Sequence, residues 1–174
     1  DVYKRQDYQL PTWWTKDWLI LATSHSGNTE ETFAATETAL KHGATVVVIA
    51  TGGALAGLCE LYENCHLIPS IAGQPPRTAF GHLFSRQLAL IECLGFVPEQ
   101  QPHLREEMLN RLEKAIHAND FRTPQGTPLL DLAMSLRERP ISLLGPTELQ
   151  PVLVRFKNQL NENAGRFARI GVVP

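Results

Sequence analysis

The sequence predicts an α/β fold built on a parallel sheet, and it does so from the order and chemistry of its apolar runs. Short apolar stretches alternate with helical ones at a spacing that suits right-handed crossovers. The run Ala44 to Ala50 (ATVVVIA) is almost continuously apolar and β-branched, as a strand covered on both faces must be. A hydroxyl-rich loop stands at the carboxyl end of the first apolar run, where such sheets place their ligands.

The elements follow in order. Asp17 to Thr23 reads as a buried strand, Ser24 to Asn28 as a loop, and Thr29 to His42 as a helix. Glu30 and Glu31 suit that helix's first turn, and Gly43 suits its C-terminal stop. After the strand Ala44 to Ala50, Leu55 to Asn64 reads as a helix and Cys65 to Ile68 as a strand. A long helix is predicted from near Arg77 to Gly95. Beyond Pro98 the pattern changes. Leu104 to Asn119 is amphipathic, with Leu104, Met108, Leu112 and Ile116 on one stripe. Phe121 to Pro128 carries two prolines and a glycine and reads as a linker. A helix from Leu129 to Arg137, a strand Pro140 to Leu144, a Gly145-Pro146 turn and a helix from Leu149 to about Ala168 complete the reading. The last segments open a second α/β unit, whose remaining strands are expected to be missing. The expected organisation is therefore 1–98, a helical connection 99–128, and 129–174.

With 174 residues, 43% hydrophobic and 20% charged, the chain can build a core. Sixteen basic against eighteen acidic residues give a net charge of −2, so neither nucleic-acid nor polybasic membrane binding can rest on bulk charge. The longest uncharged run, Gly43 to Cys59, is broken by glycines and reads as strand, turn and helix rather than a membrane span. No signal peptide is read at the start. Cys59, Cys65 and Cys93 fit no zinc or redox spacing, which suits a reduced, cytoplasmic protein. The histidines have no metal-ligand spacing, and no metal or cofactor is expected.

Three segments carry chemistry. In Ser24-His25-Ser26-Gly27-Asn28-Thr29, the hydroxyls of Ser24, Ser26 and Thr29 add donors to the free N–H groups of a helix N-terminus, and Gly27 lets the backbone approach closely. Such a cradle suits a phosphate monoester; the absence of Lys or Arg in it excludes a nucleotide P-loop. The competing reading is an ordinary N-cap, with His25 a loop side chain turned away. Thr51-Gly52-Gly53 also follows a strand, but its glycine spacing fails the dinucleotide fingerprint, so an NAD-linked oxidoreductase is not favoured. Thr51 and Gly52 remain candidates to line the same crevice.

The second segment is Gln74-Pro75-Pro76-Arg77. A cation at a helix start is unfavourable unless an anionic partner compensates, although a solvated Arg77 is the simpler alternative. The third is Lys157 to Asn163, where Glu162 lies between two asparagines. A lone carboxylate among neutral polar groups suits a general base, while a solvated polar helix face is the alternative.

Together SHSGNTEET, PPRTAFG and KNQLNENA, in this order, resemble the bifunctional phosphoglucose/phosphomannose isomerases, enzymes built from two sugar-isomerase (SIS) domains. The likeness covers about Trp18 to Pro174. It implies a three-layer α/β/α SIS-type domain, incomplete here, followed by the start of a second SIS-type domain. It also implies interconversion of glucose 6-phosphate or mannose 6-phosphate with fructose 6-phosphate through a cis-enediol, without a cofactor, in a cytoplasmic homodimer. By the same resemblance Ser24, Ser26, Gly27, Asn28 and Thr29 hold the phosphate, Arg77 steadies the enediolate oxyanion and Glu162 moves the proton. The chain departs from the family in lacking an earlier strand and helix, in Gly165 where a lysine is expected, and in stopping before a histidine-bearing segment. An internal piece of a longer isomerase is the expectation. The alternative function is a sugar-phosphate-binding module without chemistry, which needs the phosphate grip but no base.

Overall fold

A computed structural model describes residues 7–120, 122 and 126–173. The opening stretch Asp1 to Gln6, the terminal Pro174, and residues 121 and 123–125 of the stretch read as a linker lie outside the described residues. The chain forms two compact units, Asp1–Pro98 and Glu99–Pro174.

In the first unit the three apolar runs form strands β1 (Leu19–Thr23), β2 (Thr45–Ala50) and β3 (Cys65–Pro69), with β2 in the centre. All pairings are parallel, with Leu19 opposite Thr45 and Val46 opposite Cys65. Helix α1 (Glu30–Lys41) makes the first crossover and α2 (Gly53–Leu61) the second. Successive side chains of a strand point to opposite faces, and residues 46–50 are all buried, so both faces of β2 are covered. Val46, Val48 and Ala50 join Leu40 of α1 and Leu55 and Leu58 of α2 in the core. Val47 and Ile49 point to the other face, and α3 (Phe80–Cys93) reaches β2. The two-sided burial is the reason the ATVVVIA run has no polar alternation.

Local signals set the ends of α1. Glu30 and Glu31 occupy its first turn and Lys41 its last, where the helix dipole favours each, and Lys41 pairs with Glu37 at 2.9 Å. The helix expected from Arg77 starts later. A residue before proline is kept extended; Pro75 accordingly sits at φ −60° and ψ 145°. A 3-10 turn, Pro76–Thr78, follows, closed by Thr78 N–H donating to the Pro75 carbonyl at 3.0 Å, and α3 begins only at Phe80.

The second unit contains α4 (Pro102–Ala118), α5 (Pro128–Leu136), strand β4 (Ile141–Pro146), α6 (Gln150–Ala164) and strand β5 (Ala168–Val173). Thr127 caps α5, its hydroxyl oxygen accepting from Leu130 N–H at 3.2 Å. Three expectations are corrected here. Gly145-Pro146 is not a turn but the end of β4, which runs in parallel register with β5 from Ile141 opposite Ala168 to Pro146 opposite Val173. A 3-10 turn, Thr147–Leu149, makes the bend instead. The last helix stops at Ala164 rather than near Ala168, because Gly165 adopts the left-handed conformation (φ 58°) that terminates helices. Ala168 therefore starts a strand, and this unit holds a second strand where none was expected. The apolar stripe of α4, with Leu104, Met108, Leu112 and Ile116, is exposed.

Candidate active site

The loop between β1 and α1 and the loop between β2 and α2 lie side by side at the carboxyl end of the sheet and are laced together. The backbone carbonyl of His25 accepts from Thr51 N–H at 2.9 Å and from the Thr51 hydroxyl at 2.8 Å. The Gly27 carbonyl accepts from Leu55 N–H at 3.0 Å, and the Asn28 side-chain oxygen accepts from Ala54 N–H at 2.9 Å, which caps the start of α2. Gly27 has φ +72°, and a Cβ there would sit 1.8 Å from the Gly52 carbonyl oxygen. Only glycine fits both the turn and the contact.

Within the loop the hydroxyls are organised by the backbone. Ser24 is 6% exposed, and its oxygen accepts from Gly27 N–H at 3.1 Å and lies 2.8 Å from the Thr29 hydroxyl. The Ser26 oxygen accepts from Asn28 N–H at 3.2 Å. One hydroxyl hydrogen is used in the Ser24–Thr29 bond, so the three hydroxyls retain two to donate elsewhere. Thr29 occupies the N-cap position of α1 but makes no side-chain cap bond; its hydroxyl turns to Ser24 instead. The N-cap reading of this loop therefore does not account for its hydroxyls. Ser26, Asn28 and Thr29 are exposed, so the donor surface is open to a ligand.

His25, read from the sequence as a loop side chain turned away from the ligand, reaches another segment of the first unit. Its Nε2 lies 2.9 Å from the Gln74 backbone carbonyl, three residues before Arg77. Arg77 itself is exposed on the 3-10 turn of the same unit. The structure thus brings Ser24, Ser26, Gly27, Asn28, Thr29, Thr51 and Gly52 together on two adjoining loops and ties the segment carrying Arg77 to them through His25. No sequence spacing announces that tie, since its partners are 49 residues apart.

Glu162 belongs to the second unit. It is exposed near the C-terminal end of α6, one turn before the left-handed Gly165, and its neighbour Asn163 donates to the Gln159 side-chain oxygen. Gly165 follows the helix rather than interrupting it, so its presence in place of a longer residue does not weaken α6.

Other features do not compete with this site. A concavity of about 350 Å³ lined by Trp14, Thr15, Lys16, Thr38 and His42 opens at the far end of α1 from the loop, away from the hydroxyl cluster. Among the described residues, no group of three or more His, Cys, Asp or Glu is placed to hold a metal ion, and no helix is long and apolar enough to cross a membrane.

No family model matches the chain. Similar proteins nevertheless exist. It is 35% identical over 167 residues to a bifunctional phosphoglucose/phosphomannose isomerase of Caldicellulosiruptor bescii, a match covering 94% of this chain and 48% of that protein. It is 32% identical over 165 residues to the protein of the same name from Thermoplasma acidophilum, covering 94% and 47%. The chain thus spans about half the length of the curated relatives it matches. A crystal structure of a protein proposed to be a phosphosugar isomerase, from Salmonella typhimurium LT2, superposes with a TM-score of 0.59 at 17% identity, covering 93% of this chain and 49% of that one. That likeness speaks for the fold alone. The relatives named here share one name and align along nearly the whole of this sequence, which is thus similar to about half of a bifunctional phosphoglucose/phosphomannose isomerase.

Proposed function

We propose that this chain is part of an aldose–ketose isomerase that interconverts glucose 6-phosphate or mannose 6-phosphate with fructose 6-phosphate through a cis-enediol. The single observation that carries the reading is the state of Thr29: an N-cap residue that leaves its helix uncapped and bonds Ser24, so that hydroxyls and helix N–H groups are offered to one anion. Ser24, Ser26 and Thr29 hold the substrate's phosphate with their hydroxyls, Gly27 and Asn28 shape the turn, and Thr51 and Gly52 line the crevice.

Arg77 steadies the negative oxygen that develops when the proton leaves C2. Glu162 takes that proton as general base and returns it to C1, so the carboxylate is regenerated each turnover. The reaction is redox-neutral within the sugar and is proposed to run without a cofactor. The same reading places the chain in an SIS-type three-layer fold, with residues 129–174 opening a second such domain. It also assigns the complete protein to a cytoplasmic homodimer.

A sugar-phosphate-binding module without chemistry is the second reading, and the exposure of Glu162 in this chain favours testing it directly. In the full-length protein, Glu162→Gln is expected to bind fructose 6-phosphate within a few-fold of the parent and to lose at least ~100-fold in turnover. Exchange of the C2 hydrogen of glucose 6-phosphate with deuterated water reports the enediol. Retained exchange in Glu162→Gln refutes the base assignment, and a parent protein that binds without exchange refutes the isomerase.

A further inference from the structure

We propose that His25 is a positioning residue, a strut that sets where Arg77 stands relative to the hydroxyl loop. The kinetic half of this proposal rests on the isomerase reading above; the structural half does not.

A carbonyl oxygen only accepts, so the 2.9 Å contact between His25 Nε2 and the Gln74 carbonyl requires the hydrogen on Nε2. In the neutral ring Nδ1 is then an acceptor, and it is buried with no hydrogen-bond partner among the described residues. A buried acceptor without a partner is costly and calls for an explanation. The Nε2 bond to a distant backbone carbonyl supplies one, because it can be made only with the ring in this place.

Both ends of the strut are anchored. On one side the His25 main chain is fixed by two bonds from Thr51, at 2.9 and 2.8 Å. On the other, Gln74 leads into Pro75 and Pro76, whose rings fix φ. The turn beyond them is closed by Thr78 N–H and the Thr78 hydroxyl on the Pro75 carbonyl, at 3.0 and 2.8 Å, and by Ala79 N–H on the Pro76 carbonyl at 3.2 Å. Between the Gln74 carbonyl and Arg77 there is little freedom to absorb a displacement. Moving that carbonyl moves the arginine, and a charge-stabilising group loses much of its effect when displaced by about 1 Å.

The test compares His25→Phe, which keeps a flat ring and removes the donor, with His25→Gln, whose side-chain nitrogen reaches about as far as Nε2. In the full-length protein His25→Phe is expected to lower kcat about tenfold while KM for fructose 6-phosphate stays within about twofold, and His25→Gln to restore most of the loss. A kcat within twofold of the parent in His25→Phe overturns the proposal. So does a loss that His25→Gln fails to restore, or one that appears in KM alone. Separately, the two-bond nitrogen–proton spectrum of labelled histidine is expected to report the Nε2-protonated tautomer for His25. The Nδ1-protonated form overturns the strut whether or not the protein is an isomerase. A parent without isomerase activity but with the expected tautomer refutes the function and the kinetic role while leaving the strut itself standing.

Discussion

Replacing Gly27 by alanine probes the contact on which the crevice depends. The glycine lies at φ +72°, a conformation that costs an alanine about 1–2 kcal/mol. The new Cβ meets the Gly52 carbonyl oxygen at 1.8 Å, whereas an ordinary contact lies near ~3.5 Å. The two loops must therefore separate by roughly 1.7 Å, the difference between those distances. That movement breaks the 3.0 Å bond from Leu55 N–H to the Gly27 carbonyl and strains the two Thr51 bonds to His25. At about 1 kcal/mol for the lost bond and about 1 kcal/mol for the two strained bonds together, the total comes to about 3–4 kcal/mol. Gly43 provides the control. It has φ +86°, but a Cβ there meets nothing within 4 Å, so Gly43→Ala carries only the backbone cost. Urea unfolding followed by circular dichroism is expected to place Gly27→Ala about 2 kcal/mol below Gly43→Ala. Equal losses in the two variants refute the claim that the loops are in contact through this residue.

Two further predictions concern titrating groups. Burial, with the Cys59 thiol 3.0 Å away, pushes the Cys65 thiol up from an ordinary 9.0 to about 12. Between those values the unfolded chain ionises Cys65 and the folded chain does not, so this residue's contribution is intact below 9.0 and is lost as pH rises toward 12. Alkylation at pH 8 with mass-spectrometric mapping is accordingly expected to label the exposed Cys93 first and Cys65 last; the reverse order refutes the assignment. The Arg122 guanidinium, 2.7 Å from Asp120, lowers that carboxyl from 3.8 to about 2. The depressed value means its contribution is present above about pH 4 and fades as pH falls through 2. Carbon-detected titration is expected to move Asp120 part of the way back toward the ordinary carboxylate range in Arg122→Ala, which keeps the backbone N–H bond to the carboxylate, and an unmoved midpoint rejects the pairing.

Much of the first unit was legible because its physics is local in sequence. A strand buried on both faces has no polar positions, and the run at Ala44 to Ala50 advertises that directly. The loop after the first strand was legible as a loop and helix start for a similar reason, since its glycine and small hydroxyl residues stand between an apolar run and a helical one. Helix ends were less so. Arg77 was read into a helix because its segment leads into one, yet Pro76 keeps Pro75 extended and the turn that follows closes as 3-10 rather than α. At the other end of the chain, Gly165 was read inside a helix that in fact ends there, and the strand after it was missed. Pro146 was taken for a turn although a proline is tolerated at the margin of a strand. The bonds of the crevice were illegible throughout: His25 to Gln74, Thr51 to His25 and Asn28 to Ala54 join residues 49, 26 and 26 positions apart, and no periodicity encodes such meetings.

Those same separations dictate an order of assembly. The ties over 26 residues span no more chain than the β1–β2 pairing, whereas the tie over 49 closes a longer loop and costs more chain entropy. A nascent chain that has not yet extended past Gln74 can hold the Thr51–His25 and Ala54–Asn28 ties, but it lacks the His25 brace on its ligand-facing rim.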